Sequence, residues 1–423
     1  MLDVRAIRED PKPFREGLAR RNLSDAVDQI LELDERRRGL TTQVEELRAT
    51  QNRASKAIGG TQGEEKQRLI AEVGTVSAQV KELEPQLAEV EAQLSALLAK
   101  TPNVPHESAP DGFTDEDATL VRTHGEPPAF DFEPRDHAAL GEFLGVLDTE
   151  RGVRTSGSRF VYLLGDIVDV QFALVRHAMD ILVERGFTPV IPPVLVREEA
   201  MYGSAFLPTD EVNIYVTSQD ELYLVGTSEV SLAALRMGEI LDEAELPVRY
   251  AGYSTCFRRE AGSYGKDLGG MFRVHQFDKV EMFSFSAPEA SWDEHEFMVG
   301  VEEEIVANLD LPYRVVNIAA GDLGGAAAKK YDIEVWLPAQ GRYRELTSCS
   351  NYTDYGARRA QTRVRRASGE IEVLHTLNGT ATAIGRTLIA ILENFQRADG
   401  SVALPSALFP YLPERVRELR PRT

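Results

Sequence analysis

Residues 257–283 read FRREAGSYGKDLGGMFRVHQFDKVEMF, and this stretch decides how the larger part of the chain is interpreted. Segments 249–260 and 271–285 have the composition of β-strands, and the residues between them are rich in glycine. This pattern predicts a β-hairpin. Arg258 and Arg273 lie on its two strands, and each guanidinium group can bind a phosphate or a carboxylate through two parallel hydrogen bonds. The hairpin is therefore a candidate anion site.

The sequence around this hairpin predicts helices packed on antiparallel strands. Residues 170–185 have the periodicity of an amphipathic helix. The prolines of residues 187–193 confine the strand there to an edge or an end. Near the C-terminus, a strand at 371–377 is expected to lead into a helix at 381–396, with Arg386 in its first turns. Strands joined by hairpins, with helices segregated around them, indicate an α+β domain with an antiparallel sheet.

The clearest periodicity lies in residues 30–98, where seam positions recur at alternating steps of three and four. They are Ile30, Leu33, Arg37, Leu40, Val44, Leu47, Gln51, Ala54 and Ile58, and then Leu69, Val73, Val76, Val80, Leu83, Leu87, Val90, Leu94 and Leu97. Such heptads are typical of a coiled coil. The glycines of residues 59–63 are expected to reverse the chain, so that two helices pair antiparallel over about 28–99. Each helix would be about 43 Å long, from roughly 29 residues. Pro85 lies outside the seam and predicts a kink there.

A coiled-coil arm of this kind is compatible with two roles. It is either a dimerisation or spacer element, or a surface that grips RNA through Arg36, Arg37, Arg38, Arg48, Arg53 and Lys56. A row of basic residues on one helix is usually a solvated face, so the periodicity leaves both roles open. Residues 31–100 contain 10 Lys or Arg and 12 Asp or Glu, so this segment is nearly neutral.

Composition excludes several classes of protein. The 423 residues, 43% of them apolar, suffice for two or three folded domains. The sequence has no run of 18 apolar residues, so no membrane partner is expected, and its first residues lack a signal-peptide pattern. Two cysteines, Cys256 and Cys349, can form neither a disulfide framework nor a four-cysteine metal site. A cytoplasmic location fits best.

The sequence divides into three regions. Residues 1–101 are expected to form an N-terminal domain that contains the helical hairpin. Residues 102–135, rich in Pro, Gly and acidic residues, read as a connecting region, and residues 136–423 form the α+β domain. The net charge of −21 lies mostly after residue 100, so any RNA partner would need locally basic patches.

Two familiar nucleotide-binding motifs are missing from the sequence. It contains no GxxxxGK[ST] phosphate loop and no strand–GxGxxG–helix pattern. Bound ATP would therefore be held by side chains, and the arginines at 258, 273 and 386 are the candidates.

Several strings in the chain resemble the class II aminoacyl-tRNA synthetases, and within that class the seryl-tRNA synthetase family. They are TSE at 227–229, the hairpin at 257–283, ELTSCSNYTDYGARR at 345–359 and LNGTATAIGRTLIAILENFQ at 377–396. They occur in the order of the family, and the N-terminal hairpin also matches, so the resemblance covers essentially the whole chain. Departures at Leu268, Gly269 and Gly356 affect details of the contacts with the tRNA acceptor end.

The resemblance implies a ligase that activates L-serine with ATP to seryl-adenylate and transfers it to the 3′ end of tRNA. The implied ATP-binding residues are Arg258, Arg259, Glu260, Arg273, Val274, Phe277, Glu345, Leu346, Thr347, Ser348 and Arg386. Of these, Arg258, Glu260 and Arg386 carry the catalytic roles: Arg258 bridges the serine carboxylate and the α-phosphate, and Arg386 holds the γ-phosphate. Glu345 and Ser348 would hold Mg²⁺ on the phosphates, and no zinc site is expected.

The resemblance also implies a serine pocket. Its residues are Thr227, Ser228, Glu229, Arg258, Glu281, Asn378 and Thr380. Thr227 and Glu229 suit the ammonium group, whereas Glu281 and Thr380 suit the hydroxyl, with support from Asn378. Such a pocket can reject an analogue without the hydroxyl by a factor of roughly 10⁴–10⁵. Threonine must be excluded by shape, which is worth only about 1–3 kcal/mol.

In the family the arm reaches across a homodimer to the long variable arm and elbow of serine tRNA. RNA helices are recognised mostly through backbone and shape, so dispersed basic residues suffice. The resemblance therefore implies tRNA(Ser) as a partner, usually also tRNA(Sec), with one tRNA bound across both subunits. Lys266 in the hairpin loop is a further expected tRNA contact.

Three alternatives remain at this stage. A related enzyme could load an amino acid onto a carrier protein, although such relatives lack the long arm. The chain could be a non-catalytic RNA-binding paralogue, but loss of activity should remove Arg258, Glu260, Glu281 or Arg386, and all four are present. The arm could also serve only for oligomerisation.

Overall fold

The computed structural model describes residues 1–261 and 270–421. The chain forms two compact units, Leu2–Pro102 and Asn103–Thr423. Within the described residues, no helix combines the length and the apolar character needed to cross a membrane.

The first unit is helical. Its helices are α1 (Val4–Glu9), α2 (Pro11–Ala19), α3 (Ala26–Ile58) and α4 (Glu64–Lys100). Helices α3 and α4 pack along each other, and seam positions such as Val44 and Val80 are buried. The predicted helical hairpin is therefore confirmed. Helix α4 continues past Pro85, whose side chain is exposed.

A buried carboxylate organises the base of this hairpin. Asp34 accepts hydrogen bonds from Arg8 and Arg37, both at 2.8 Å, and from Arg38 at 3.0 Å. Burial would raise the pKa of Asp34, but the bonds from Arg37 and Arg8 outweigh it and hold that pKa below its usual value. Several arginines expected on the RNA surface thus also have a structural role. Arg48 likewise pairs with a carboxylate of α4 at 2.6 Å.

The second unit combines helices with several β-sheets. Its helices are α5 (His137–Leu144), α6 (Thr149–Ser156), α7 (Asp166–Glu184), α8 (Glu198–Gly203), α9 (Glu229–Ala234), α10 (Ser291–Asn308), α11 (Tyr355–Ala360) and α12 (Ile384–Asn394). Its strands are β1 (Thr119–His124), β2 (Leu147–Asp148), β3 (Tyr162–Leu163), β4 (Thr188–Val190), β5 (Leu195–Val196), β6 (Tyr215–Val216), β7 (Tyr223–Leu224), β8 (Ile240–Asp242), β9 (Val248–Phe257), β10 (Gln276–Ser286), β11 (Tyr313–Asn317), β12 (Lys329–Leu337), β13 (Arg342–Asn351), β14 (Arg363–Arg365), β15 (Ile371–Val373), β16 (His375–Ala383), β17 (Val402–Ala403) and β18 (Glu418–Leu419).

The main sheet has the order β1-β11-β12-β13-β16-β10-β9-β4. All neighbours are antiparallel except β4, which pairs parallel with β9 at one edge. The predicted α+β fold is confirmed, and the proline-rich strand lies at the edge where its missing N–H is tolerated. The opposite edge is β1, so the expected connecting region 102–135 also contributes a strand to this sheet.

The C-terminal prediction was wrong about where the strand ends. The strand was expected to end at residue 377 and the helix to start at 381. Instead, the strand β16 continues to Ala383, and α12 starts at Ile384. Asn378 and Thr380 therefore lie on one face of a central strand, since side chains two apart share a face. Arg386 remains in the first turn of the helix, as predicted.

The two faces of the sheet have different surroundings. On one face, α10 packs against the strands: Thr347 of β13 donates to Glu302 at 3.0 Å, and His295 lies 3.0 Å from the Cys349 carbonyl. The opposite face carries a row of polar side chains from β10, β13 and β16. These polar side chains line the cavity described next.

Candidate active site

A cavity of about 330 Å³ lies on the polar face of the main sheet. Its floor comes from β10, β13 and β16, and its sides come from the end of β9, the start of α12 and residues preceding β10. Residues predicted from the sequence that line it are Thr227, Glu229, Arg258, Glu260, Arg273, Val274, Phe277, Glu281, Glu345, Leu346, Ser348, Asn378, Thr380 and Arg386. The fold thus gathers in one cavity residues that are far apart along the chain.

Three predicted residues do not line the cavity. The Ser228 hydroxyl points to the Gly252 carbonyl at 3.4 Å, and the Thr347 side chain faces α10 on the other side of the sheet. Arg259 is exposed and bonds through its backbone N–H to the Asn213 carbonyl at 2.9 Å. Lys266, Leu268 and Gly269 lie outside the described residues.

One end of the cavity contains two buried carboxylates. Glu281 of β10 stands opposite Thr380 of β16, and the Thr380 hydroxyl donates to Glu281 Oε2 at 3.3 Å. Asn378 Nδ2 donates to Glu229 Oε2 at 3.0 Å. Within the described chain, Glu281 Oε1 and Asn378 Oδ1 are buried without a hydrogen-bond partner. Buried acceptors of this kind require a donor, so this end of the cavity suits a ligand that donates hydrogen bonds.

Lys279 belongs to this end of the cavity, although the sequence analysis did not assign it. It lies two residues before Glu281, only 6% of it is exposed, and its ammonium group pairs with Glu281 Oε2. The opposite charges of Lys279 and Glu281, which share one face of β10, were the available signal. Other lining residues that were not assigned are Phe206, Met271, Phe272, Gly324, Ala327, Lys330, Ser350, Tyr352, Ala383 and Gly385.

The protonation of Glu229 is unusual. Burial raises the pKa of Glu229 to about 8, and the nearby Glu281 carboxylate adds to this effect, whereas Lys279 and Tyr352 oppose it. Near neutral pH, this carboxyl group is therefore largely protonated. A cation bound beside Glu229 would favour its ionised form.

The other end of the cavity is cationic. Arg258 donates from Nε to the Gly226 carbonyl at 3.0 Å, and its guanidinium carbon lies 5.4 Å from the centre of the Phe277 ring. Arg386 donates to the Glu345 carbonyl at 3.0 Å, and its guanidinium carbon is 4.8 Å from the centre of the Phe272 ring. Each arginine is held on one side, and its remaining N–H groups suit an anionic ligand.

A β-bulge turns Glu345 toward the cavity. Residues Glu345 and Ser348 are three apart and would normally lie on opposite faces of a strand. The register of β13 against β12 shifts between Glu345 and Thr347, so both Glu345 and Ser348 line the cavity. This bulge thus brings two oxygen ligands together.

The carboxylate of Glu345 is strongly ionised. Burial acts to raise its pKa, but Arg386, Lys330 and Arg258 outweigh this effect and hold the pKa of Glu345 at about 2. Mg²⁺ prefers oxygen ligands and is commonly bound by one or two carboxylates together with substrate phosphates. Glu345 with Ser348 fits that pattern. In the described parts of the chain, no group of three or more His, Cys, Asp or Glu residues could hold a metal ion alone.

The remaining wall comes from residues 273–277. The strands predicted over 249–260 and 271–285 were wrong at their inner ends, since β9 ends at Phe257 and β10 begins only at Gln276. Arg273 Nη1 lies 3.3 Å from Glu260 Oε2, which orients that carboxylate in the cavity. Phe277 exposes part of its ring beside Val274, providing a flat apolar surface. His275, between these residues, faces away from the cavity and contacts the Arg258 carbonyl through Nδ1 at 2.8 Å.

Comparisons with known proteins identify related chains. Residues 1–105 match the family described as seryl-tRNA synthetase N-terminal domain, and residues 214–395 match the tRNA synthetase class II core domain (G, H, P, S and T). A serine–tRNA ligase from Thermobifida fusca (strain YX) is 47% identical over 417 residues, with 98% of each chain covered.

Two solved structures are also similar over the whole chain. Seryl-tRNA synthetase from Pyrococcus horikoshii, complexed with ATP, has a TM-score of 0.93 and 41% identity, with all of both chains covered. The cytoplasmic serine–tRNA ligase of Naegleria fowleri, in complex with AMP, has a TM-score of 0.89 and 36% identity, covering all of this chain and 99% of that one.

Gly379, between Asn378 and Thr380 on β16, is expected to be essential for packing. A Cβ there would lie 2.7 Å from Glu302 Oε1 and 3.1 Å from the Met282 Cε. Replacing Gly379 with Ala should therefore destabilise the fold by about 2 kcal/mol through overpacking, measured as a lower midpoint of thermal unfolding.

Gly300 in α10 provides the control, because a Cβ at that position meets no atom within 4 Å. Gly300→Ala should leave the midpoint unchanged or raise it, since alanine favours a helix by about 1 kcal/mol. Equal midpoints for Gly379→Ala and the parent chain would contradict the packing described here.

Proposed function

This chain belongs to the seryl-tRNA synthetase family, and from that premise we propose how its cavity activates L-serine with ATP before transfer to tRNA. As a class II aminoacyl-tRNA synthetase it is a ligase, with the activity of a serine–tRNA ligase. The observation that carries the proposal is one cavity with two buried carboxylates at one end and two arginines at the other.

The carboxylate end suits the amino acid. Thr227 and Glu229 would receive the serine ammonium group, and the substrate hydroxyl would donate to the unpartnered Oε1 of Glu281. Thr380 already donates to Glu281 Oε2, so Oε1 is the oxygen left to accept from the ligand. Alanine lacks this donor and would leave a buried carboxylate oxygen unpaired, which is a strong basis for rejection.

The arginine end suits the triphosphate. Arg258 would bridge the serine carboxylate and the α-phosphate, and Arg386 would bind the γ-phosphate. An oxygen of the serine carboxylate then attacks the α-phosphorus, and the bond from that phosphorus to the pyrophosphate oxygen breaks. Neither reactant needs a protein nucleophile, so the side chains act by positioning and by neutralising charge as it moves to the leaving group.

Residues 273–277 and Glu260 suit adenine. The Phe277 ring would stack on the base, and the Glu260 carboxylate, oriented by Arg273, would accept from the adenine amino group. Backbone groups of Val274, Leu346 and Thr347 would complete the site, which is compatible with the Thr347 side chain pointing elsewhere. Arg259 is exposed and does not line the cavity, so it could contact only the part of the bound nucleotide that faces solvent.

The expected metal is Mg²⁺, held by the Glu345 carboxylate and the Ser348 hydroxyl together with phosphate oxygens. When bound, the ion would neutralise phosphate charge. Two features support this Mg²⁺ site. The Glu345 carboxylate is ionised, and the β-bulge places both this carboxylate and the Ser348 hydroxyl in the cavity.

The second step transfers the seryl group to the 3′ end of tRNA(Ser). Arm residues Arg36, Arg53 and Lys56 are exposed and available for RNA backbone contacts, whereas Arg37, Arg38 and Arg48 would have to share their existing carboxylates. On the same basis of family resemblance, we propose that Lys266 contacts the tRNA acceptor end and that tRNA(Sec) is a second substrate.

A homodimer is part of the same proposal. Val168, Phe172, Val175, Met179 and Val183 recur every three or four residues along one face of α7, and 59% of Phe172 is exposed. A partly exposed apolar stripe is typical of an interface. We place the enzyme in the cytoplasm, whose reducing conditions agree with two buried free thiols.

Pyrophosphate exchange tests this proposal when it is screened over all twenty amino acids. The full chain should exchange pyrophosphate into ATP with serine and not with alanine. A chain that lacks residues 35–95 should retain serine-dependent exchange but lose aminoacylation of tRNA(Ser), because the adenylate site lies in the other unit.

The Asp34→Asn variant, with the arm retained, is the control for damage at the base of the hairpin. It should aminoacylate tRNA(Ser) at a rate within about threefold of the parent, since it keeps the exposed arm residues. Loss of exchange in the deleted chain would contradict the division of labour between arm and cavity, and exchange with another amino acid would contradict the assigned substrate.

Serine binding should depend on pH through Glu229. Below a pKa of about 8 this carboxyl group is protonated in the free enzyme, so binding the serine ammonium group requires loss of a proton. Serine affinity should therefore fall by roughly tenfold for each pH unit below that pKa, measured as the dissociation constant between pH 6 and pH 8. Glu229→Gln should bind weakly and without this pH dependence; a parent enzyme with constant affinity over this range would contradict the assignment.

A further inference from the structure

A buried histidine connects two walls of the active site without lining the cavity. His137, the first residue of α5, is 5% exposed. Its Nδ1 lies 3.0 Å from Glu393 Oε1, and the Met271 backbone N–H donates to its Nε2 at 3.3 Å. Because an N–H group can only donate, Nε2 must be unprotonated and Nδ1 must carry the hydrogen. The imidazole is therefore neutral, with one defined tautomer.

Both partners of His137 belong to elements that carry the nucleotide site. Glu393 lies on α12, two turns after Arg386, or about 10 Å along the helix. Met271 directly precedes Phe272, and the guanidinium carbons of Arg386 and Arg344 lie 4.8 and 4.0 Å from the centre of its ring. The contacts thus form a closed circuit that runs from α12 through the imidazole to the hairpin and back to Arg386.

Glu393 is itself firmly held. Its Oε1 also accepts from the His137 backbone N–H at 3.1 Å, and its Oε2 accepts from the Ala339 N–H at 3.3 Å. The carboxylate is fully buried. Glu393 is therefore fixed in position. Because it cannot follow a change at the imidazole, loss of the imidazole should displace residues 271–274 rather than α12.

The hairpin approaches the imidazole as closely as its backbone permits. A Cβ at residue 270 would lie 2.1 Å from His137 Nε2, and Gly270 also has a φ of +72°. Only glycine satisfies both conditions. The close approach places the Met271 N–H within hydrogen-bonding distance of the ring. This bond fixes the position of the segment that leads into β10.

We infer that His137 is a positioning residue for ATP, which acts by holding residues 271–274 and Arg386 at a fixed separation. This inference rests on the proposed function, in which Arg386 and residues 273–277 bind ATP. Serine, in the proposed site at the other end of the cavity, would contact β10, β16 and α9, none of which belongs to the circuit. Loss of the imidazole should therefore weaken ATP binding selectively.

The test compares three replacements of His137 by the dissociation constant for ATP and by the KM values for ATP and serine. Leu removes both hydrogen bonds, and Asn can reach Glu393 but not the Met271 N–H. Gln has the length to accept from Met271 while donating to Glu393. Leu and Asn should weaken ATP binding by about tenfold, Gln should restore it to within about threefold of the parent, and the KM for serine should stay within about twofold throughout.

His177→Leu is the matched control, because His177 is also buried, lies on α7 and does not line the cavity. This variant should lower the midpoint of thermal unfolding without changing the ratio of the KM for ATP to the KM for serine. If His137→Leu does not fold, the Asn and Gln variants alone decide the question.

Equal ATP affinity in the Asn and Gln variants, or a parallel loss of serine and ATP affinity, would overturn the inference. Failure of this inference can be distinguished from failure of the proposed function. If the proposed function were wrong, the parent chain itself would not bind ATP or exchange pyrophosphate with serine. If only the role of His137 were wrong, the parent would be active and the His137 variants would bind ATP as described above.

Discussion

The register of β10 against β16 is the constraint on which the active site depends. It sets Glu281 opposite Thr380 at the centre of the main sheet, with Asn378 and Lys279 on the same face. A one-residue slip would turn these polar side chains into the apolar layer under α10 and expose apolar ones to the cavity. Gly379 enforces the register from the other face, where Glu302 leaves no room for a side chain.

This arrangement leaves charge buried in a way that a purely structural sheet would avoid. Burying a carboxylate is costly unless it is paired, and the cavity contains the buried Glu229 and Glu281. Lys279 pairs with Glu281, and burial raises the pKa of Glu229. Groups perturbed in this way are concentrated at functional sites. In the proposed function, bound serine would supply the missing partners.

Much of this structure could be predicted from the sequence, and the failures have physical reasons. The heptads fix the helical hairpin because their period is unambiguous, and the prolines of residues 187–193 place β4 at an edge of the sheet. The strand β16 was cut short because its Thr and Ala residues carry no alternating pattern when both faces are buried. The role of His137 could not be predicted, since it depends on Met271, a partner brought close only by the fold.

The central claim is that Arg386 binds the triphosphate, and Arg344 allows a direct test. Both guanidinium groups stack on Phe272, but only Arg386 lines the cavity. The measurement is serine-dependent pyrophosphate exchange by Arg386→Gln and Arg344→Gln. Removing a charge that stabilises the transition state should lower the rate by roughly 10²–10³ for Arg386→Gln, and Arg344→Gln should stay within about threefold of the parent. Equal rates for the two variants would contradict the account.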